Sequence, residues 1–477
     1  MASANNSVKI YEQCFIAPSS ASAANLSLPL TFFDLNWLRL HPVERIFFYS
    51  LPLPHSDPSF FFHKLLPNLK TSLSHTLQHF HPLAGNVVWP SHSPKPFVQF
   101  NPGDGVSLTI AQCNDDAKFN HFLDNSPRDA SESRSLVPHL ESSDSRASVV
   151  SLQITFFPSK GFSIGISSHH AVLDGKSSTM FIKAWAYACK SCEEESPISL
   201  KPELEPVFDR DLIKDPTGLE TVFINNWAKI ASLFDPSDTT KGRSLKIMSQ
   251  PLEVNLVRAT FDVKRGDLET IKKRVLSKWE LVGEEPISAS SKPSTLSTFV
   301  TCCAYVSVCV AKATHIAQNA KKFCLAFTFD CRSRLEPPIP ENYFGNCVAS
   351  HIVDTESDDF IKEDGVVVVA KRIWSKIKMV DKGALEGIDT VFPRFAVMLR
   401  EGVKGISIAG SNRFGVYETD FGWGRPSKVE ITSVDRGLTI GLTESKDEKG
   451  GVEVGLALNK HVMDQFHEIF YEGLSMH

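Results

Sequence analysis

The sequence predicts a mixed fold of the α/β or α+β class, with large mixed sheets in two parts of similar size. Three observations carry this. Apolar residues recur at helical spacing in some stretches and alternate with polar ones in others. The two patterns are interleaved along the whole chain rather than segregated. A segment dense in proline and acid, SCEEESPISLKPELEPVFDRDLIKDP from Ser191 to Pro216, interrupts both patterns near the middle. Prolines at that density disfavour helix and central strand alike, so the segment is expected to cross between the parts.

The elements follow in order. Leu66, Leu69, Leu73, Leu77 and Phe80 form one helical face, and HPLAGN (His81 to Asn86) ends that helix. Val150, Leu152, Ile154 and Phe156 alternate as a half-buried strand. Pro158-Ser159-Lys160-Gly161 is a turn, and Phe162, Ile164 and Ile166 alternate again, so the pair reads as a hairpin. Met180, Phe181, Ala184, Trp185 and Ala188 make the next helical face. A polar stretch from Gly283 to Ser297 reads as a loop, and the four valines Val366 to Val369 read as a buried strand. Late strands are expected at Val429 to Val434, Leu438 to Leu442 and Val452 to Leu458. Met463, Phe466, Ile469 and Phe470 mark a closing helix.

Composition excludes several classes. The chain has 477 residues, 42 % hydrophobic and 22 % charged, with a formal net charge of -5. That is the balance of a folded globule without the basic face of a nucleic-acid binder. The opening MASANNSVKIYEQCF has no basic n-region and no apolar h-region, so no secretory signal is expected. No stretch reaches the ~18 apolar residues of a membrane span, and a cytosolic monomer is expected. The 10 cysteines show no framework spacing and are read as reduced thiols. Cys189 and Cys192 form a lone C-x-x-C, too little for a zinc site. The 33 Phe against 7 Trp and 7 Tyr favour a pocket for a flat or greasy ligand.

Chemistry concentrates at the junction between the second hairpin strand and the helix after it. Ser167 to Ser178 reads SSHHAVLDGKSS. Strand-to-helix junctions put side chains at a sheet edge within reach of ligands. Histidine is the residue best poised to take a proton near neutral pH. Asp174 can orient such a base or fix the loop, and Gly175 permits a tight turn. A metal reading is disfavoured because adjacent strand residues point to opposite faces, and no third His or Cys sits at ligand spacing. A purely structural cluster remains open on this segment alone.

H-x-x-x-D-G, from His170 to Gly175, resembles the active-site motif of acyltransferases with the chloramphenicol acetyltransferase-like fold, which peptide-synthetase condensation domains share. A second motif, DFGWG from Asp420 to Gly424, separates the two groups. Together with PLAGN (Pro82 to Asn86) and DCRSRLEPPIPENYFGNC (Asp330 to Cys347), the pair resembles the plant BAHD acyl-CoA-dependent acyltransferases. YFGNC, the opening LPLTFFDLNWLRLHPVERIFFY (Leu28 to Tyr49) and the ending EVGLALNKHVMDQF are similar to the clade of anthocyanin and flavonoid (phenolic) glucoside malonyltransferases.

The resemblance implies an α/β fold of two domains with mixed sheets and an inter-domain tunnel. The corresponding division is 1–190 with H-x-x-x-D, a crossover at 191–216, and 217–477 with YFGNC and DFGWG. It implies malonyl-CoA as co-substrate and the sugar hydroxyl of a flavonoid, isoflavonoid or other phenolic glucoside as acceptor, with no metal or redox cofactor. His170 is then the general base. Asp174 points away from it and pairs with an arginine, for which Arg332 is the candidate. Asp420, Phe421, Gly422, Trp423 and Gly424 are structural. GSNRF (Gly410 to Phe414) is expected near the site, with Ser411 and Asn412 as oxyanion donors. Arg413 is the first candidate for the malonyl carboxylate and Lys176 the second, with the segment holding Arg39 and Arg45 as a further place to look. Lys272, Lys273, Arg274 and Lys292 are candidates for the CoA phosphates. The rival readings are another acyl donor or acceptor, and a non-catalytic paralogue that binds acyl-CoA or glycosides.

Overall fold

A computed structural model describes residues 7–19, 25–191, 199–234, 240, 242–248, 253–282, 292–316, 320, 322–401 and 403–475. Three sheets organise it. The first has six strands in the order Val8–Ile16, Val106–Cys113, Val150–Phe157, Gly161–Ser168, Val43–Ser50 and Lys428–Ile431. The second has seven, in the order Val348–Glu356, Lys322–Asp330, Lys404–Ser411, Thr439–Glu444, Val452–Asn459, Leu256–Val263 and Arg128–Asp129. A four-stranded sheet carries residues 26–29, 97–100, 86–88 and 146–148. Parallel and antiparallel pairs occur in both large sheets.

The predicted helix is Leu66–His79, and HPLA forms one further short turn of helix before the strand at Asn86. The hairpin pairs Gly161 with Phe157 and Ser168 with Val150. Its alternation predicts one exposed face, yet both strands are buried on both faces. Residues 130–137 cross the polar face: Gln153 Nε2 donates to the Ser135 carbonyl at 2.8 Å. A Cβ at Gly165 would meet the Leu136 carbonyl oxygen at 2.0 Å, so only glycine lets that segment approach.

The valine run is a correction. Val366 to Val369 lie in the helix Gly365–Val380, not in a strand. Ala370, Ile373 and Val380 continue its buried face, and packing in the second core overrides the β preference of a short valine run. The late elements are the strands Lys428–Ile431, Thr439–Glu444 and Val452–Asn459 and the helix Lys460–Ser475. Residues Thr432 to Val434, expected as strand, lie instead in the 3-10 segment Thr432–Asp435. Of the expected 283–297 loop, residues 283–291 lie outside the described residues, and Ser297 caps the helix Thr298–Ala313. Of the expected crossover, 192–198 likewise lie outside, Cys192 among them. Among the described residues Cys14, Cys113, Cys302, Cys303, Cys309, Cys331 and Cys347 are free thiols.

Two large cores stand either side of a charged seam. One gathers the helices Leu66–His79 and Gly175–Ser191 with the first sheet, and the other the helices 265–277, 298–313, 365–380 and 460–475 with the second. The division at 191–216 does not separate them cleanly. Lys428–Ile431 pairs with Val43–Ser50 in the first sheet, while Arg128 and Asp129 pair with Arg258 and Val257 in the second. At the seam Arg128 pairs with Glu430, Arg134 lies 3.1 Å from Asp435, and Arg258 lies 3.5 Å from Asp435. No helix among the described residues is long and apolar enough to cross a membrane.

Candidate active site

The Gly161–Ser168 strand delivers the H-x-x-x-D-G loop to the end of the first sheet. His169 N donates to the Val149 carbonyl at 2.8 Å, and Val172 N to the His169 carbonyl at 3.0 Å, so the chain leaves the sheet in a tight turn. Asp174 then starts the helix Gly175–Ser191. Its Oδ1 accepts from Ser177 N at 2.8 Å, the contact an N-cap carboxylate makes.

The other oxygen of Asp174 is taken by the second half of the chain. Arg332 Nη2 lies 2.9 Å from Oδ2, and Cys347 N donates to the same atom at 3.2 Å. Both side chains are buried. Arg332 also lies 3.1 Å from Asp330 and donates to the Tyr343 and Gly345 carbonyls. Burial opposes its charge, but Asp174 and Asp330 outweigh that and hold its pKa above the ordinary arginine value. The Asp174 carboxylate is thus bound to Ser177, Arg332 and Cys347.

His170 has a different set of neighbours. Its ring stacks on the indole of Trp37, with centroids 4.1 Å apart and planes 6° from parallel. Asn346 Nδ2 donates to its carbonyl at 2.7 Å and to Asp34 Oδ1 at 2.9 Å, while Asp34 Oδ2 accepts from Thr31 N and Thr31 Oγ1 at 2.9 Å. A strap of Thr31, Asp34 and Asn346 therefore fixes the backbone that carries the imidazole. Burial pushes His170 down to about 4; His41 acts in the same direction and Asp174 against it. The ring is neutral at pH 7, the state in which it can accept a proton. His169 is buried beside it, accepts from Ala171 N at 3.2 Å, and is also pushed to about 4 by burial.

Gly175 meets the segment from Gly410 to Phe414. A Cβ there would lie 2.7 Å from the Phe414 ring. Ser411 and Asn412 are half-buried, and Arg413 is exposed. Lys176 points to the surface, bridging Asp330 at 3.5 Å and Glu341. In DFGWG, Asp420 Oδ1 accepts from Gly422 N and Gly424 N at 2.8 and 3.0 Å, and Oδ2 lies 2.9 Å from Lys190. Phe421 packs edge-on against Tyr49 and Trp185, and Trp423 packs on the same core. Lys272, Lys273 and Arg274 lie on the helix Arg265–Ser277, where Lys272 pairs with Glu269 at 2.7 Å and Arg274 donates to the Gly473 carbonyl. Lys292 is exposed before the helix Thr298–Ala313. No hydrogen bond joins these four to the 169–178 loop among the described residues.

Trp37, Asp34 and Asn346 are the neighbours that sequence reasoning missed. All three lie inside stretches singled out above, Leu28 to Tyr49 and Tyr343 to Cys347. The Thr31-x-x-Asp34 spacing of a capping box was a legible signal; the partner of that box was not. Among the described residues no group of three His, Cys, Asp or Glu side chains can hold a metal ion.

A family model described as the Transferase family matches residues 6–473. Phenolic glucoside malonyltransferase 1 of Arabidopsis thaliana is 39 % identical over 473 residues, covering 98 % of each chain. The malonyl-CoA:anthocyanidin 5-O-glucoside-6''-O-malonyltransferase of the same plant is 39 % identical over 99 % of this chain and 100 % of its own. Among solved structures, vinorine synthase superposes with a TM-score of 0.62 at 20 % identity, over 96 % of each chain. The first condensation domain of the CDA synthetase superposes with a TM-score of 0.55 at 13 % identity, over 95 % of this chain and 96 % of that one. These two likenesses show the fold, which is of the chloramphenicol acetyltransferase-like type with mixed sheets. With the family model spanning almost the whole sequence and full-length relatives near 40 % identity, the chain belongs to the Transferase family, the BAHD acyltransferases.

Proposed function

We propose that the protein transfers a malonyl group from malonyl-CoA to a sugar hydroxyl, the 6-hydroxyl first, of a flavonoid, isoflavonoid or simpler phenolic glucoside. The observation that carries the mechanism is the contrast between His170 and Asp174. The carboxylate is bound by Ser177, Arg332 and Cys347, while the imidazole is neutral and stacked on Trp37. The relatives named as malonyltransferases support the donor and the acceptor class.

A sugar hydroxyl is too weak an acid to attack a thioester unaided. In this reading His170 takes its proton as the oxygen bonds to the thioester carbon, a contribution of ~10²–10⁴-fold. The carbonyl electron pair moves onto oxygen, and Ser411 or Asn412 donates to that oxyanion. Collapse breaks the carbon–sulfur bond, and the proton on His170 passes to the sulfur to give the CoA thiol. No acyl-enzyme forms. The substrates meet in a tunnel between the two halves, with the phosphates of CoA near Lys272, Lys273, Arg274 or Lys292. The enzyme works as a cytosolic monomer without a metal or redox cofactor, and free thiols fit that compartment.

Incubating the protein with malonyl-CoA and a panel of phenolic glucosides, with products read by mass spectrometry, tests this reading. The expected result is a malonylated glucoside and free CoA in equal amounts. Acyl transfer from acetyl-CoA or a hydroxycinnamoyl-CoA in preference to malonyl-CoA would overturn the donor. Binding of both substrates without product would overturn the reaction.

A further inference from the structure

Among the described residues four arginines are less than 5 % exposed: Arg45, Arg128, Arg258 and Arg332. Three of them have a carboxylate at ion-pair distance, namely Glu430 for Arg128, Asp435 for Arg258 and Asp174 for Arg332. Arg45 has none among the described residues. Its one hydrogen bond is from Nη1 to Thr179 Oγ1 at 3.0 Å, its carbon sits 6.0 Å from the centre of the Phe47 ring, and Nε is buried with no partner. Glu444 raises its pKa only from beyond ion-pair distance, and burial pulls it down to about 10, so the side chain is still charged at neutral pH. A buried charge left without a counter-ion is strongly disfavoured. A chain that keeps one is expected to meet an anion there.

The surroundings say where that anion comes from. Arg45 sits opposite Ile166 in the strand that leads into the His170 loop. By strand alternation it shares a face with Phe47 and Tyr49, the face covered by the helix Gly175–Ser191. Thr179, which receives its hydrogen bond, lies one turn into that helix and donates in turn to the Gly175 carbonyl at 2.7 Å. On its other side Arg45 pairs with Ile431, whose Cδ1 lies where a Cβ on Gly410 would come within 2.7 Å. The guanidinium therefore lies between the loop that holds His170 and the strand end that holds Ser411. The other two candidate cations lack this setting: Lys176 faces Asp330 and Glu341 at the surface, and Arg413 is exposed.

We propose that Arg45 receives the free carboxylate of the malonyl group and is the residue that separates malonyl-CoA from uncharged acyl donors. This rests on the donor reading above. Nη1 stays on Thr179, and Nε with the free edge of the guanidinium takes the carboxylate, as an arginine fork does. The assignment deepens the site by giving it a specificity determinant from the N-terminal strand rather than from the residues flanking the motifs.

Arg45→Met tests it, because the substitution keeps volume and removes a buried charge, a change the fold tolerates well. We expect a melting temperature equal to or above that of the wild type. We also expect kcat/KM for malonyl-CoA to fall roughly ten- to a hundredfold more than kcat/KM for acetyl-CoA. In a His170→Ala background, titration calorimetry should show that Arg45→Met weakens malonyl-CoA relative to acetyl-CoA by a similar factor. An unchanged ratio between the two donors would overturn the assignment. So would a lowered melting temperature with equal losses for both donors, which would mark Arg45 as structural. Wild-type protein that shows no malonyl preference would bring down the donor reading itself, before any variant is made.

Discussion

The imidazole of His170 lies flat on the indole of Trp37, 4.1 Å between centroids and 6° from parallel. Such a contact positions a ring without hydrogen-bonding it, so it leaves the nitrogens free for proton transfer. Trp37→Leu should therefore lower kcat by about tenfold or more while KM for either substrate changes little, because near-attack geometry is lost rather than binding. Trp37→Phe, which keeps a stacking surface, should recover most of the rate. Steady-state kinetics on the two variants check this, and equal effects of Leu and Phe would count against it.

The pH profile follows from burial. His170, the proposed base, must be neutral to act, and burial pushes it to about 4. Protonation, and with it loss of rate, is therefore expected only as the pH falls through about 4. An imidazole at the ordinary value near 6.5 would already have lost about tenfold by pH 5.5. Stability runs the same way in sign. The unfolded chain takes up protons below ~6.5 that buried His169 and half-buried His170 refuse until about 4, so stability is complete above that window and declines within it. Rates should be read within seconds of a pH jump to keep the two effects apart. A kcat/KM flat from pH 7.5 to 5.5 is the expected outcome.

Removing Arg332 leaves Asp174 buried without its counter-ion, and removing Asp174 leaves buried Arg332 only the more exposed Asp330, 3.1 Å away. Asp174→Ala and Arg332→Met should each destabilise the protein by ~3–5 kcal/mol. The double variant should lose clearly less than the sum, since the second change removes the charge the first one stranded. Urea melts of the four proteins give the coupling. Additive losses would mean that Asp174 acts through Ser177 and Cys347 alone.

Gly175 is needed for space. A methyl there would come 2.7 Å from the Phe414 ring, so Gly175→Ala should push the 410–414 segment away from the loop. The expected result is a fall in kcat larger than the fall in melting temperature. A second change, Phe414→Leu, should restore part of the rate by making room. Failure of the double variant to recover anything would place the cost in the backbone turn instead.

What the sequence made legible follows the range of the interaction. The alternation of helices and strands, the hairpin and the H-x-x-x-D-G loop all depend on neighbours within a few residues, and the structure has them where the pattern puts them. The resemblance named Arg332 as partner for Asp174, and the two lie 2.9 Å apart. Trp37 and Asn346 were not legible as neighbours because each reaches His170 across more than a hundred residues of chain, and the partner of Asp34 was not because Asn346 lies 312 residues on. Arg45 left a trace that was noted without being weighed: a charged residue inside the apolar run VERIFFY has to face something. Val366 to Val369 were misread because a short valine run says how buried a segment is but not which backbone buries it.

The strand exchange across the seam sets an order on synthesis. Lys428–Ile431 is the edge strand beside Val43–Ser50, so the first sheet waits for a piece of chain made almost four hundred residues later. The loop that carries His170 waits as well, since Arg332, Asn346 and Phe414 all come from the late half. A ribosome-bound chain released to the 191–216 segment would therefore present Val43–Ser50 as an open, apolar edge, the kind of edge that recruits chaperones or neighbours. The proposed proton transfer can be assembled only once the chain through Phe414 has left the ribosome.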